Sequence, residues 1–338
     1  MSMTVPLAQA RSSSQSESEK SRDKRQNVFQ RVYSALGFKK GYNFILWFIF
    51  GGAMVGFALA RFMYLHAPTL AKGLAPGEGY HMLTSLYKPA MLVHIGTVLP
   101  AGIFAVLQFI PQIRYKALIV HRILGYVALL LLIIGASTGF VLGRRSFGGD
   151  MAVQTGTIFL GAVTLISAAI AYYNIKRLQI NEHRKWMLRT WFYAGTIITT
   201  RLVMLITAQV LSAIGQYHTL WTCDEVQYVL KDPNDLAEQY PGCVNGQAGG
   251  FVGVPVKWST ALPIGSALRA SFGAALWVAF LIHAVGIEIY IHLTPGEDSR
   301  LRKVSYERQL ERGAKHPGSM GTTSDRLGDN FGVYYKPE

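Results

Sequence analysis

Long apolar stretches alternate with short polar, basic or glycine-containing segments along most of this chain. Six of the apolar stretches have about the 20 residues that a helix needs to cross a bilayer core of roughly 30 Å. The pattern predicts an all-α fold, a polytopic membrane helix bundle in which the second to fifth helices form a four-helix core. The six predicted spans cover about residues 43–65, 90–110, 119–142, 152–175, 187–213 and 266–293.

The polar segments divide the chain into three regions. Residues 1–42 begin with a Ser-rich, charged sequence that has too few apolar residues to bury a core, so we expect a disordered tail. A cleavable signal peptide is not expected, because the first apolar stretch starts only near residue 43 and is too long. Residues 43–293 form the predicted membrane domain, with a long polar loop at 214–265. Residues 294–338 are polar, basic and Gly-rich, and we expect a second mobile tail there.

The distribution of positive charge indicates the orientation of the predicted spans. The formal net charge of +14 would suggest a nucleic-acid partner in a soluble protein, yet half of the residues here are hydrophobic. Of the 33 Lys and Arg residues, 24 lie on the side that holds both termini and 8 lie on the other side. This asymmetry predicts that both termini are cytoplasmic and that the loop 214–265 is lumenal or extracellular. The predicted partner is therefore the lipid bilayer, and nucleic acid is not expected.

The long loop contains both cysteines of the chain, Cys223 and Cys243. On a lumenal or extracellular side disulfides persist. A bridge between these cysteines closes a loop of about 20 residues and would stabilise the fold by roughly 3 kcal/mol in the chain-entropy model. We therefore predict a disulfide, against the alternative of two unpaired thiols.

Several cationic and imidazole side chains fall inside the predicted spans, where charge is costly unless it faces a protein interior or a wet cavity. Arg201 lies near the middle of the fifth span, His283 near the middle of the sixth, and His94 within the outer part of the second. The predicted outer group joins His94 to Arg201, with His81 or Lys88 nearby. The predicted inner group comprises His121, Arg122, Glu182, His183, Arg184 and Arg189, with Glu288 as a counter-charge.

Three interpretations of these side chains remain open. Guanidinium groups bind carboxylate and phosphate well, so Arg201 and His94 could hold an anionic small molecule or lipid. Alternatively, His121 and His183 lie at equal depth on different helices and could ligate haem b, with Arg122 or Arg189 pairing its propionates. In the third interpretation the inner arginines only contact lipid headgroups, and His94, His283 and Arg201 only join neighbouring helices. No motif of a known catalytic class accompanies these residues, so the sequence leaves enzymatic activity undecided.

An ordered set of motifs between about residues 91 and 205 resembles a family of predicted membrane proteins known as domain-of-unknown-function family 2306. The set comprises His94, the run QFIPQIR at 108–114, His121-Arg122, Leu124-Gly125-Tyr126, Glu182-His183-Arg184-Lys185-Trp186-Met187, Arg189, and Thr200-Arg201-Leu202. The resemblance covers the second to fifth helices, and the family-like core extends over 91–213. It implies a compact multi-helix membrane domain and brings no agreed activity. The leading prediction is therefore a multi-pass membrane protein whose His/Arg-lined interior binds an anionic small molecule, lipid or cofactor.

Overall fold

The computed structural model describes residues 27–244 and 250–327 of the chain. Over these residues it is a bundle of α-helices with one small two-stranded antiparallel sheet. In chain order the helices are α1 (Val28–Ala35), α2 (Gly41–Arg61), α3 (Ala67–Gly73), α4 (Glu78–Met82), α5 (Tyr87–Gln108), α6 (Pro111–Lys116), α7 (Leu118–Gly143), α8 (Met151–Lys176), α9 (Ile180–Ile214), α10 (Cys223–Leu230), α11 (Pro233–Gln239), α12 (Ala261–His292) and α13 (Pro295–Glu311). Short 3-10 helices cover Phe62–Leu65, Ser146–Gly148, Pro241–Cys243 and Ser324–Leu327.

Six helices in the described part of the chain are long and apolar enough to cross a membrane, which confirms the predicted polytopic bundle. They are α2 (with the 3-10 turn that follows it), α5, α7, α8, α9 and α12. Their large apolar side chains lie mostly on the outside of the bundle, as in a protein solvated by lipid. The sixth span, α12, packs along α9 more extensively than any other pair of helices, so it is an integral part of the bundle.

The fifth span begins earlier than predicted. It was expected from about residue 187, but α9 already starts at Ile180 and runs to Ile214. The charged residues Glu182 and Lys185 therefore lie on the helix and not in a preceding loop. The helix ends at Gly215, whose φ of +71° is a left-handed conformation that glycine adopts without steric cost.

Connections between the six spans lie alternately at the two ends of the bundle. We call one end the loop face, which holds residues 62–86, 144–150 and 215–260. The other end, the terminal face, holds residues 27–40, 109–117, 177–185 and 293–327. Each face is closed by contacts between segments far apart in sequence. On the terminal face the backbone N–H of Gln112 donates to the carbonyl of Leu36 at 3.2 Å.

The predicted tails are in part folded, which corrects the expectation of disorder for the described residues. Val28–Ala35 form a helix, and the aromatic ring of Phe38 is buried nearby. Pro295–Glu311 form a second helix whose buried residues, among them Leu301 and Ser305, face the bundle. Residues 1–26 and 328–338, which complete the predicted tails, lie outside the described residues.

Residues 215–244 and 250–260 form a small folded cap on the loop face. Strands β1 (His218–Thr222) and β2 (Phe251–Pro255) pair antiparallel, with Trp221 opposite Val252. Cys223 and Cys243 form the predicted disulfide. Trp221, Val226, Leu236, Val254 and Leu262 make up the apolar core of this cap and tie it to the first turn of α12.

Candidate functional site

The terminal face gathers polar side chains from four elements of the family-like core. Gln108 is the last residue of α5, Arg114 lies on the short helix α6, and His121 lies in the first turn of α7. His183 approaches from the first turn of α9. Arg114 lies within electrostatic range of both imidazoles, and the two imidazoles are within range of each other. We call these four residues the terminal-face site.

Three nitrogen atoms of this site are buried without a hydrogen-bond partner among the described residues. They are Nε2 of Gln108, Nε of Arg114 and Nδ1 of His121. A buried donor left without a partner costs about 1–3 kcal/mol, and folded proteins leave few such groups. The nitrogens of Gln108 and Arg114 lack an acceptor, and Nδ1 of His121 donates or accepts according to the tautomer, so this is a candidate place for a further molecule to bind.

Local sequence explains why these groups meet. Pro111 opens α6 at its first turn, where the lack of an N–H has no cost, so the chain turns straight after α5. Six residues later α6 ends and α7 starts at Leu118. The Gln108 side chain lies against Gly125 of α7, where a Cβ would be at van der Waals distance, 3.7 Å, from its Oε1.

The surroundings of Arg114 are cationic. Arg184 and Arg300 lie within electrostatic range of it, and Glu297 is the acidic neighbour. Burial lowers the pKa of Arg114 relative to its usual value. Glu297 is already paired, because Arg300 donates two hydrogen bonds to its carboxylate at 2.7 and 2.8 Å. The site therefore carries an excess of positive charge.

Most of the predicted inner group does not line this site. Arg189 donates to both carboxylate oxygens of Glu288 at 2.6 and 2.9 Å, which confirms the predicted counter-charge. Glu182 is buried and accepts a hydrogen bond from Lys185 at 2.8 Å. Arg184 lies over the ring of Tyr290. The contacts of Arg189 and Arg184 join α9 to α12, whereas Glu182 and Lys185 pair within α9.

Arg122 does not point into the bundle, which corrects its prediction as an interior ligand residue. Its side chain is exposed on α7, although its neighbour His121 is half-buried. Successive residues on a helix point about 100° apart, so the two side chains face different directions.

His94 and His283 bind neighbouring helices. Nδ1 of His94 lies 2.8 Å from the carbonyl oxygen of Gly135 on α7. Both ring nitrogens of His283 are used by α9, one by the carbonyl of Phe192 and the other by the hydroxyl of Thr199, each at 2.7 Å. No described contact joins His94 to Arg201, so the predicted outer pair is not assembled in this structure.

Arg201 instead faces the loop face. Its guanidinium group lies over the rings of Phe147 and Phe272, at 5.1 and 5.3 Å from their centroids. Glu78, Arg61 and Tyr64 lie within electrostatic range of it. Among the described residues, Arg201 makes no side-chain hydrogen bond and no ion pair within 4 Å.

A buried ionic cluster lies beside Arg201. Arg269 donates to Glu225 at 2.8 Å, and its Nε lies 3.9 Å from Glu78. His81 lies 3.3 Å from the same oxygen of Glu225. Burial raises the pKa of Glu78 to about 7, although the N–H of Phe147 and the nearby arginines oppose the shift. We call Glu78, His81, Arg201, Glu225 and Arg269 the loop-face cluster.

Sequence reasoning missed four of these residues: Gln108, Arg114, Glu78 and Arg269. The first two were part of the motif QFIPQIR, which was read as a family mark and not as a ligand set. Glu78 and Arg269 were counted as loop residues. One feature of the sequence pointed to Glu78. Arg201 needs a counter-charge near its own depth in the membrane, and Glu78 lies in the polar segment at the outer ends of the spans.

The structure adds no feature that selects haem. Nδ1 of His183 lies 2.9 Å from the carbonyl of Ala171, which fixes its ring against α8. A haem ligated by His121 and His183 therefore stays a prediction. Over the described residues, no group of three or more His, Cys, Asp or Glu is arranged to hold a metal ion.

Comparison with known protein families identifies the central part of the chain. Residues 91–223 match the family of predicted membrane proteins DUF2306. The match contains all four residues of the terminal-face site, whereas Glu78 and Arg269 lie outside it. The chain is also similar to "Ava biosynthesis cluster protein G" of Aspergillus versicolor, with 25% identity over 307 residues that cover 76% of this chain and 90% of the relative. No solved structure matches the chain.

Proposed function

We propose that this membrane protein binds a phosphate-bearing amphiphile or metabolite at the terminal-face site. The observation that carries this proposal is the set of three buried nitrogen atoms without partners, on Gln108, Arg114 and His121. A phosphate group offers several acceptor oxygens and negative charge, and a guanidinium group matches both.

Charge and position favour this ligand class. The site has the cations of Arg114, Arg184 and Arg300 around it, and its acidic neighbour Glu297 is paired to Arg300. It lies at the ends of α5, α7 and α9, at the depth where a span meets the headgroup region. Basic pockets between helix ends at this depth bind anionic headgroups.

The orientation of the protein belongs to the same proposal. In this proposal the terminal face and both termini lie in the cytoplasm, which the excess of Lys and Arg at that face supports. The disulfide-bonded cap is then on the lumenal or extracellular side. The name of the fungal relative refers to a biosynthesis cluster, which agrees with a role involving a small molecule.

Lipid titration of the purified protein tests the proposal. We expect phosphatidic acid in detergent micelles to raise the melting temperature of the full chain, and phosphatidylcholine to leave it unchanged. Glycerol 3-phosphate distinguishes a lipid ligand from a soluble phosphate ester. If both phosphatidic acid and glycerol 3-phosphate stabilise the protein, the phosphate group alone is recognised.

Substitutions localise the effect. Arg114→Gln is expected to weaken phosphatidic acid binding about 10-fold or more, since a charge-assisted hydrogen bond contributes roughly 1.5–3 kcal/mol. Arg177→Gln is the matched control, because Arg177 is exposed on the same face and stacks only on Tyr173. Equal binding by Arg114→Gln and the wild type would contradict the site.

A visible spectrum distinguishes the haem interpretation in the same preparation. A Soret band that shifts on reduction and disappears in His121→Ala would show that this site holds haem and not a phosphate-bearing ligand.

A further inference from the structure

We propose that Arg201 forms a second binding site, at the loop face, for a ligand with a carboxylate on an apolar body, and that Glu78 takes up a proton when this ligand binds. This site shares α9 with the terminal-face site, but none of its residues belongs to that site, and the proposal does not depend on it. The proposal starts from the guanidinium group of Arg201.

Arg201 lies beside a pair of aromatic rings. Phe147 and Phe272 stack with their centroids 4.3 Å apart, and the guanidinium carbon lies 5.1 and 5.3 Å from the two centroids, at the side of the stack. Among the described residues, its N–H groups make no hydrogen bond and no ion pair within 4 Å. A guanidinium group held in this way presents two parallel N–H bonds to a carboxylate.

The aromatic surroundings indicate what the carboxylate is attached to. Phe147, Phe272 and Tyr64 border Arg201, and Tyr64 is itself held by a 2.8 Å hydrogen bond from Arg61. Apolar rings around one cation suit an amphipathic organic acid better than a fully hydrated inorganic anion.

The charges of the cluster do not balance. Three guanidinium groups, Arg61, Arg201 and Arg269, surround two carboxylates, Glu78 and Glu225. Glu225 is committed to Arg269 at 2.8 Å, and this ion pair together with its other hydrogen bonds holds the pKa of Glu225 below its usual value despite burial. Among the described residues of the cluster, Glu78 is therefore the carboxylate left to neutralise the charge of Arg201. It makes no ion pair with Arg201 within 4 Å.

Glu78 lies where its protonation responds to the negative charge of a ligand bound at Arg201. One of its carboxylate oxygens accepts the N–H of Phe147 at 2.8 Å, which ties Glu78 to the residue under Arg201. Phe147 has a φ of +49°, a conformation that non-glycine residues adopt only when their surroundings hold them there. When a carboxylate binds Arg201, a second negative charge beside Glu78 is unfavourable, so Glu78 becomes neutral by binding a proton from solution.

Groups other than Glu78 also affect the pH dependence of this site. The charged and titratable groups around Glu78 and its neighbours are Arg61, Tyr64, His81, Arg145, Arg201, Glu225 and Arg269. His81 is the imidazole among them, and burial lowers its pKa from the usual value. Its contribution is removed in the experiment by the His81→Gln variant.

Benzoate is the probe, and its neutral analogue benzamide is the ligand control. Titration calorimetry on the full chain in detergent is run at pH 6, 7 and 8, where benzoate stays ionised. With a Glu78 pKa of about 7, the protonated fraction rises from about a tenth at pH 8 to about nine tenths at pH 6. The apparent benzoate affinity is therefore expected to increase about tenfold, with no binding of benzamide.

Variants assign the two roles. Glu78→Gln imitates the protonated carboxyl and still accepts the N–H of Phe147, so benzoate should bind tightly at all three pH values. Arg201→Gln should lose at least 10-fold in affinity. Arg144→Gln is the control, since Arg144 is exposed on the same face, and it should behave like the wild type. His81→Gln should keep the pH dependence.

Three results would overturn the proposal: binding that does not change with pH in the wild type, a pH dependence that survives in Glu78→Gln, or unchanged affinity in Arg201→Gln. Absence of benzoate binding at millimolar concentration would also overturn it. Arg114→Gln should leave benzoate binding unchanged, so failure here and failure at the terminal-face site are distinguishable.

Discussion

At the residue scale, buried charge separates structural side chains from candidate ligand-binding ones. Arg189 is charged and inside the bundle, but Glu288 accepts both of its hydrogen bonds, so nothing remains for a ligand. His283 likewise uses both ring nitrogens on α9. Arg114 and Arg201 differ: Nε of Arg114 is buried without a partner, and Arg201 makes no hydrogen bond and no ion pair within 4 Å among the described residues. The depth of a side chain in the bundle does not by itself indicate a ligand site. Hydrogen-bond donors that lack an acceptor are the stronger indication.

Glu78 should make stability depend on pH in an unusual direction. Its pKa is about 7 in the folded protein against 4.5 for an ordinary carboxyl, so its contribution is complete below pH 4.5 and lost as pH rises through 7. The expected loss is about 3 kcal/mol, from 1.36 kcal/mol per unit of pKa shift. Melting temperatures of wild type and Glu78→Gln measured from pH 5 to 8 should diverge, with only the wild type declining through this contribution. Parallel curves would exclude it.

At the element scale, the terminal face is closed by α13. Lys185 on α9 donates to Glu182 and lies 2.9 Å from Asp298 on α13. Ser305 of α13 accepts the backbone N–H of Ile180, which is one of the free donors at the start of α9. These contacts order a segment whose composition alone predicts a mobile tail.

Removal of the central cation should release α13. Lys185→Met leaves two carboxylates facing each other without their shared partner, and we expect a loss of about 2 kcal/mol, less than for a fully buried pair because both groups are partly exposed. Limited proteolysis should then cut after residue 293. Arg308→Met is the control, because its pair with Glu311 is exposed and contributes little.

The ion pair of Asp298 also has a pH limit. Burial opposes ionisation of Asp298, but the hydrogen bonds and charges of Lys185 and Arg302 outweigh it and hold its pKa below the usual value. Its contribution is therefore present above the ordinary pKa of an aspartate and is lost as pH falls through the lowered value. The same proteolysis assay should show release of α13 in acid for the wild type.

At the scale of the whole molecule, the two sites lie at opposite faces of one bundle. The terminal-face site is built by α5, α6, α7 and α9, and the loop-face cluster by α4, α9, α10 and α12. The only element common to both is α9, which carries His183 at one end and Arg201 further along. A ligand at either site therefore contacts the same helix.

Labelling of single cysteines should establish the orientation. Glu238→Cys lies exposed on the loop face and Glu307→Cys exposed on the terminal face, and the two native cysteines are bonded to each other. With a membrane-impermeant maleimide, we expect Glu238→Cys to react in intact cells and Glu307→Cys to react only after permeabilisation, provided the protein resides in the plasma membrane. In sealed organelle vesicles, the accessible position should be Glu307→Cys. The opposite pattern would reverse the proposed topology.

The sequence by itself determined the architecture. Six apolar stretches, the length of the bilayer core and the asymmetry of Lys and Arg are local quantities, so the spans follow without knowledge of their packing. The disulfide between Cys223 and Cys243 also follows, because both lie in one loop. The family motif likewise marked Arg114 and His121 without giving their use.

Only the tertiary structure decided which polar groups meet. Arg201 could have paired with His94 by depth, yet it faces Phe147 and Glu78, because helix rotation about its own axis is set by packing and not by the hydropathy of the span. The partners of Arg189 and His283 lie about 90 residues away in the chain, and no local pattern specifies such contacts. Hydrogen-bond satisfaction is a property of the assembled bundle, so the sequence could not show that Gln108, Arg114 and His121 each keep a buried nitrogen without a partner.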